Sequence, residues 1–347
     1  MRPIEICRGN GDYVYDTGGN AWLDFRAGIM TATLGHGHPA VTRGVNNALT
    51  AGLVNSYTNH SSAALDLMAL LIGYAPDYNW KLLSTGVEAI DRALQLVSKY
   101  LNRAPRVAAL RGGFHGKTMH IAPVRWDNLP WRNPLGIQVV PPHELDEIDF
   151  DVLLYEPIQS LTGVLPNEMV LRQVCSSKGA FLVADEMVTG FMRTGKRFAS
   201  TMADIIVAGK GLGQGLPLST IGIRTSSPLA HVALPVDWST TAAANNLCAQ
   251  VGLAVLQWLI DNEARVKQLC AANERRYTDQ LGAAGYGNLG FMYIPRRQVA
   301  AVQASLQRHR ILATIREDGI MRLGPSFFAG ETEFTLLQEA IECGLSE

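Results

Sequence analysis

The chain is 347 residues long, with 47% hydrophobic and 18% charged residues and a formal net charge of −1. This composition excludes an intrinsically disordered chain, and the near-neutral charge provides no electrostatic footprint for nucleic acid or an anionic lipid surface. At about 150 residues per domain, the length predicts two domains.

Helical patterns and short apolar runs alternate along the chain. A helix is predicted to begin after Ser84-Thr85-Gly86 and to run to about residue 101. Apolar runs at 107–110, 152–155, 181–184 and 205–208 are predicted to be strands that are buried on both faces. Between two of them, a helical pattern at 168–178 ends at Gly179, the residue type favoured just past a helix. This β-α-β order predicts an α/β fold with a mostly parallel sheet, and helical periodicity dominates again from about residue 245.

Five scattered cysteines form no C-x-x-C pair, so they predict neither a disulfide framework nor a zinc ribbon. The first residues lack the basic and apolar segments of a signal peptide, and no apolar stretch reaches the roughly 18 residues of a membrane span. We therefore expect a cytoplasmic protein.

Side chains with distinctive chemistry follow the predicted strands. Glu156 comes after the run 152–155, Asp185 after 181–184, and Lys210 lies between glycines after 205–208. Ligands of open parallel sheets bind just beyond the carboxyl ends of the strands. The hydroxyl of Thr85 and the free N–H groups of the following helix would suit a phosphate. Together these features resemble a cofactor site.

Other glycine-rich and histidine-rich segments are weaker candidates. Segment 190–196 follows the phosphate-loop pattern of nucleotide-hydrolysing enzymes, but Arg197 takes the place of the Ser or Thr that would hold magnesium. No register of 209–215 gives the G-x-G-x-x-G pattern of dinucleotide-binding proteins. His36 and His38 have no further ligand cluster nearby in the sequence, so we predict no metal site.

A series of motifs runs in a fixed order through most of the chain. They lie at 11–19, 34–39, 84–89, 114–116, 156–159, 185–186, 190–195 and 210–217. The series resembles that of the class III aminotransferases, which use pyridoxal 5′-phosphate (PLP) and adopt fold type I. The resemblance implies a large PLP-binding domain with a mostly parallel sheet flanked by helices and a smaller α+β carboxy-terminal domain. We place an N-terminal segment at 1–36, the large domain at 37–253 and a reduced small domain at 254–347.

The resemblance also implies the two catalytic residues and the phosphate site. Lys210 would form the Schiff base with PLP and transfer protons, and Asp185 would keep the pyridine nitrogen of PLP protonated. The phosphate would be bound by Thr85, Gly86 and Val87 at the start of a helix, where the helix dipole favours an anion.

Further residues would surround the PLP ring. Phe114 would stack on one face of the ring and Met187 on the other, and His115 belongs to the same motif as Phe114. Gln159 would bond the phenolic oxygen of the ring. Glu156 would contact the imine side or hold a substrate-site arginine.

Two residues far along the chain complete the implied site. Thr241 would reach the phosphate of the neighbouring subunit, which implies a homodimer with its active sites at the interface. Arg322 resembles the arginine that binds a substrate carboxylate through a bidentate pair.

The implied activity is the transfer of an amino group between an amino acid or amine donor and a carbonyl acceptor through the Schiff base of Lys210. The same residues could serve a PLP-dependent decarboxylase or aminomutase, because the bond that breaks depends on how the substrate lies against the ring. A non-catalytic binding protein would not need Lys210, Asp185 and a phosphate loop together. The chain is shorter than typical members of the family, so the resemblance does not indicate a particular substrate.

Overall fold

The computed structural model describes residues 4–56, 59–125, 133–233 and 240–347. Its strands are β1 (Ile6–Asn10), β2 (Tyr13–Asp16), β3 (Ala21–Asp24), β4 (Tyr78–Leu83), β5 (Val107–Leu110), β6 (Gln138–Val140), β7 (Val152–Tyr155), β8 (Phe181–Glu186), β9 (Ile205–Ala208), β10 (Ser219–Arg224), β11 (Ala284–Tyr286), β12 (Leu289–Tyr293), β13 (Ile311–Leu312), β14 (Thr314–Ile315) and β15 (Ile320–Leu323). Its helices are α1 (Ala27–Met30), α2 (Pro39–Ala51), α3 (Ser62–Tyr74), α4 (Gly86–Leu101), α5 (Glu168–Lys178), α6 (Asn246–Asp261), α7 (Glu263–Arg275), α8 (Val299–Arg308) and α9 (Glu331–Ser346).

The central sheet has seven strands in the order β4-β10-β9-β8-β7-β5-β6. The five strands from β9 to β6 are parallel, and β10 is antiparallel to both of its neighbours. Alternate residues of the parallel strands belong to two apolar clusters, one shared with α3, α5 and α6 and the other with α4. Both faces of the sheet are therefore covered, which explains the continuous apolar runs in the sequence. The predicted α/β fold and its four predicted strands are confirmed.

The predicted helices begin and end at local capping signals. Thr85 is the N-cap of α4, and its hydroxyl accepts a hydrogen bond from the N–H of Glu88 at 3.3 Å. Helix α5 ends at Gly179, whose φ of 64° is the left-handed conformation that glycine adopts readily. Helix α5 has the limits that the sequence predicts, and α4 ends as predicted but begins one residue earlier, at Gly86.

The N-terminal residues fold together with the carboxy-terminal part of the chain. Strand β13 pairs in parallel with β3 in the sheet β1-β2-β3-β13, while β11, β12, β15 and β14 form a third sheet. Phe25 shares an apolar cluster with Phe334 of α9. The predicted boundary at residues 253–254 lies inside α6, which packs against α2 and α3. A division there would cut through a helix, and the limits of the domains stay a prediction.

Candidate active site

A cavity of about 200 Å³ lies at the carboxyl ends of β5, β7, β8 and β9. Its lining consists of Gly86, Val87, Phe114, His115, Gly116, Lys117, Glu156, Asp185, Met187 and Lys210. Neighbouring parallel strands bring their carboxyl ends to one edge of the sheet, so residues that are far apart in sequence meet there. All of these residues except Gly116 and Lys117 are predicted from the sequence as site residues.

Lys210 has a left-handed backbone conformation, with φ at 41°. Within the described residues, its side-chain amine makes no hydrogen bond, and it lines the cavity. Burial lowers the pKa of Lys210 below its ordinary value. The carboxylates of Asp185 and Glu156 oppose this shift, whereas the guanidinium groups of Arg322 and Arg193 add to it. The lowered pKa favours the neutral amine, which is the nucleophilic form.

A buried carboxylate–imidazole pair forms part of the cavity wall. Asp185 Oδ2 lies 2.9 Å from His115 Nδ1, and Asp185 Oδ1 accepts a hydrogen bond from the N–H of Met187 at 3.1 Å. Burial opposes the charged imidazole, but the hydrogen bond to Asp185 and the charges of Asp185 and Glu156 raise the pKa of His115. The other ring nitrogen, Nε2, is buried without a hydrogen-bond partner. His115 therefore fixes the orientation of Asp185 and stabilises its negative charge.

Glu156 connects the end of β7 to the loop that follows β5. Its Oε2 accepts a hydrogen bond from the N–H of Phe114 at 2.9 Å, and its Oε1 accepts one from the N–H of Ser160 at 3.2 Å. Burial raises the pKa of Glu156 to about 7, and the charge of Asp185 acts in the same direction. This side chain therefore holds the backbone at Phe114 in place.

The first turn of α4 forms one end of the cavity, at Gly86 and Val87. Backbone N–H groups at a helix N-terminus have no partner within the helix, and they attract anions. A Cβ on Gly86 would lie 2.9 Å from Cγ, Sδ and Cε of Met187, so a larger residue here would require the Met187 side chain to shift. A Cβ on Gly209 would lie 2.7 Å from Met187 Cε. The two glycines thus allow Met187 to pack between α4 and the turn that carries Lys210.

Two predicted cofactor residues make other contacts. Gln159 Nε2 donates to the carbonyl oxygen of Arg111 at 2.8 Å, and its Oε1 accepts from the hydroxyl of Thr162 at 2.7 Å. Both ends of this amide are used within the protein, and Gln159 does not line the cavity. The hydroxyl of Thr85 is exposed and caps α4 through the N–H of Glu88.

Thr241 lies outside the cavity of its own chain. It is exposed, and its carbonyl oxygen accepts a hydrogen bond from Asn55 Nδ2 at 2.6 Å. The neighbouring Thr240 donates its hydroxyl hydrogen to Oε1 of Glu88 at 2.7 Å. Because Glu88 belongs to the first turn of α4, this segment lies beside the helix end that faces the cavity.

Arg322 approaches the site from β15. Its Nη1 donates to the carbonyl oxygen of Ser160 at 3.0 Å, and its Nε is buried without a hydrogen-bond partner. Burial lowers the pKa of Arg322, with the charge of Glu156 opposing the shift. Within the described ranges, no carboxylate forms a salt bridge with this guanidinium, which leaves Nε able to donate to a ligand.

Sequence reasoning missed three residues near the site. Gly116 and Lys117 line the cavity, and their position directly after Phe114 and His115 is the signal that could have indicated them. Arg193, in the segment after β8, is fully buried; its place in the motif 190–195 is the signal that could have indicated it, although no local pattern indicates its burial.

These groups fit PLP. The helix N-terminus at Gly86 is suited to its phosphate, and the amine of Lys210 to its aldehyde. The buried carboxylate of Asp185 is suited to its pyridinium nitrogen, and Nε2 of His115 leaves one buried donor or acceptor free for a ligand.

Comparisons with known proteins agree with this reading. The model of the family "Aminotransferase class-III" matches residues 1–146 and 144–324. The chain is 28% identical to the acetylornithine aminotransferase of Corynebacterium efficiens, over 99% of this chain and 93% of that protein. It is 32% identical to a LysW-aminoadipate semialdehyde/glutamate semialdehyde transaminase of Sulfolobus acidocaldarius, a match that spans 63% of this chain and 62% of that relative's length.

Solved structures show the same fold at low identity. An aminotransferase of Bacillus anthracis has a TM-score of 0.87 at 18% identity, covering 100% of this chain and 95% of the other. The ornithine aminotransferase of Toxoplasma gondii has a TM-score of 0.83 at 21% identity, with coverage of 100% and 91%. The family match spans most of the chain, and the cavity contains the groups that PLP requires. The chain therefore belongs to the class III aminotransferases and is a PLP-dependent transferase.

Proposed function

We propose that this aminotransferase moves an amino group between an amino-acid donor and a carbonyl acceptor that both carry a carboxylate, with Lys210 transferring protons and Arg322 binding the carboxylate. One observation carries the proposal. Arg322 is hydrogen-bonded to Ser160, whose N–H donates to the cavity residue Glu156, and its Nε is buried without a hydrogen-bond partner, while its charge helps to lower the pKa of Lys210. A substrate with both an amine and a carboxylate matches this pair of groups.

Each residue has a separate task in this proposal. When bound, PLP supplies an electron sink for the substrate carbon next to the transferred nitrogen. The N–H groups at Gly86 and Val87 hold the phosphate. Asp185, oriented by His115, keeps a proton on the ring nitrogen. Lys210 would take the proton from the substrate carbon that carries the transferred nitrogen and return it to the PLP carbon on the other side of that nitrogen.

The relatives suggest a substrate class. Several of them are named acetylornithine aminotransferases, and others are named for aminoadipate and glutamate semialdehydes. Acetylornithine has its free amine and its carboxylate at opposite ends. Lys210 and Arg322 could engage these two groups separately, so we propose donors of this type.

A donor screen tests the proposal. The PLP-loaded enzyme is given acetylornithine, ornithine or pentylamine together with a 2-oxo acid, and the products are identified by mass. Transamination converts the 2-oxo acid into its amino acid, whereas a decarboxylase would release carbon dioxide from the donor. Carbon dioxide release without transfer of nitrogen would contradict the proposed activity.

The Arg322→Met variant tests carboxylate binding in the same assay. With the 2-oxo acid saturating, because its own carboxylate would also bind Arg322, loss of a charge-assisted hydrogen bond should raise KM for acetylornithine about 10- to 100-fold and leave KM for pentylamine unchanged. Arg316→Met is a matched control, because Arg316 lies near β15 but pairs with Asp318. Equal losses with both donors would refute the role of Arg322.

We also propose a homodimer in which Thr241 of each protomer reaches the phosphate of the other. In support, a groove of about 340 Å³ adjoins the cavity at Val87 and includes apolar side chains of α4 such as Ile90 and Leu94. A second copy covering this groove would exclude water from the site. Sedimentation at decreasing concentration, followed at the visible PLP band, is the test. An active monomer that retains PLP would exclude the shared site.

A cytoplasmic location is a further proposal. All five cysteines are free, three of them buried, as in proteins of reducing compartments. Among the described residues, no helix is long and apolar enough to cross a membrane. Cell fractionation with an antibody against the protein tests the location, and recovery outside the cytoplasmic fraction would contradict it.

A further inference from the structure

Arg193 is a fully buried arginine without an acidic partner. It lies in the segment between β8 and β9, with none of its surface exposed. Its Nη1 donates to the carbonyl oxygen of Pro325 at 2.6 Å, while Nε and Nη2 are buried without hydrogen-bond partners. Across the described part of the chain, no carboxylate forms a salt bridge with it. Burial lowers the pKa of Arg193 to about 10.

Keeping an unpaired guanidinium in a protein interior is unfavourable. A methionine of similar length would fill the same volume without this cost. The presence of this charge therefore indicates that Arg193 has a role other than packing, and the contacts of its side chain indicate that role.

The contacts of Arg193 join two parts of the chain that are distant in sequence. Asn288, also fully buried, donates its backbone N–H to the carbonyl oxygen of Arg193 at 2.8 Å. Its side-chain Nδ2 donates to the carbonyl oxygen of Pro325 at 2.9 Å. The backbone of Thr194 lies so close to Gly287 that a Cβ there would be 2.5 Å from the carbonyl carbon of Thr194. Arg193 and Asn288 thus bind the same carbonyl group at Pro325.

Pro325 lies two residues beyond the end of β15 and three residues after Arg322. The guanidinium of Arg193 also lies 5.9 Å from the ring centroid of Phe327. Phe327 in turn donates its backbone N–H to the carbonyl oxygen of Thr33 at 2.9 Å. The segment that carries Arg322 is therefore held at its carboxyl end by Arg193. Arg193 is also close enough to the site for its charge to lower the pKa of Lys210.

We propose that Arg193 is a positioning residue for substrate carboxylate binding: through the carbonyl group of Pro325 it sets the position of β15 and hence of the Arg322 guanidinium relative to the cavity. Arg193 itself does not touch the substrate. This inference rests on the proposed function of Arg322 and adds a second residue that determines specificity for carboxylates.

The test compares two small nucleophiles that would each form an oxime with bound PLP by displacing the amine of Lys210 from the Schiff base, which changes the visible absorbance of PLP. Aminooxyacetate carries a carboxylate, whereas O-methylhydroxylamine carries none. The ratio of their second-order rate constants with the PLP-loaded enzyme measures carboxylate recognition independently of the natural substrate. In Arg193→Met this ratio should fall about tenfold, with the O-methylhydroxylamine rate within about twofold of wild type. Arg193→Lys, which keeps a donor for Pro325, should restore much of the ratio.

Two further variants separate the possible outcomes. Arg197→Met is the matched control, since Arg197 lies on the same segment but pairs with Glu263, and its ratio should be unchanged. Asn288→Ala removes the second donor to Pro325 and should lower the ratio less than Arg193→Met does. If Arg193→Met does not fold, the ratio measured for Asn288→Ala tests the proposal in its place.

The Arg322→Met variant, measured in the same assay, distinguishes failure of the proposal for Arg193 from failure of the proposed function of Arg322. If Arg322→Met leaves the ratio unchanged, the proposed role of Arg322 is wrong, and the inference fails with it. If Arg322→Met lowers the ratio while Arg193→Met and Asn288→Ala do not, the inference alone is overturned. Equal slowing of both nucleophiles in Arg193→Met would indicate a merely structural role and would also overturn it.

Discussion

Substitution of Gly86 by alanine should weaken PLP binding by displacing Met187. The added Cβ would lie 2.9 Å from Cγ, Sδ and Cε of Met187, whereas ordinary van der Waals contact begins at 3.4 Å. Met187 is packed against Gly209 on its other side, so its side chain is displaced towards the cavity. Overpacking of this kind costs about 1–3 kcal/mol. If the whole cost falls on the PLP complex, the dissociation constant rises about 5- to 150-fold.

Titration of the apoenzyme with PLP, followed by visible absorbance, measures the effect. A second substitution, Met187→Ala, should recover most of the affinity lost in Gly86→Ala because it removes the clashing atoms. Gly73→Ala in α3 is the control, since a Cβ there would meet nothing within 4 Å. Wild-type affinity in Gly86→Ala, or a double variant that binds PLP more weakly than the single one, would refute the reasoning.

Three further substitutions have defined outcomes. Lys210→Ala should lower turnover by at least about 10³-fold and still bind PLP, because proton transfer is lost while the phosphate site remains. Borohydride reduction and peptide mapping of the wild type should find the cofactor on Lys210. Labelling of Lys178 or Lys196 instead would disprove the assignment. Asp185→Asn should slow turnover at saturating PLP about 10²- to 10³-fold by removing the buried charge that His115 orients, and an unchanged kcat would exclude this role. Burial raises the pKa of Glu186 from its ordinary 4.5 to about 7. Between these two pH values the folded apoenzyme keeps a proton that the unfolded chain releases. The free energy of unfolding should therefore fall by about 3 kcal/mol as pH rises from the lower value to the higher. Glu186→Gln should flatten this part of a urea-denaturation profile, whereas an unaltered slope would contradict the shifted pKa.

Local patterns in the sequence were sufficient for much of the fold. Strands β5, β7 and β9 and helix α5 have the limits that were predicted from apolar runs and Gly179, and α4 begins within one residue of its predicted start. Such signals act within a few residues, through capping bonds and through burial of both faces of a strand. The resemblance of the ordered motifs to those of the class III aminotransferases also indicated the family, and the apolar runs predicted that Glu156, Asp185 and Lys210 would meet at one sheet edge.

Tertiary structure alone decided the contacts between distant segments. The sequence did not indicate that β3 pairs with β13, because hydrogen bonds between strands about 290 residues apart leave no local pattern. It could not show that the amide of Gln159 is hydrogen-bonded to Arg111 and Thr162 and does not line the cavity. It also could not separate Arg193, buried against the segment that carries Arg322, from an arginine on the surface. The environment of a polar side chain depends on which distant segment packs over it, and that is determined only when the whole chain has folded.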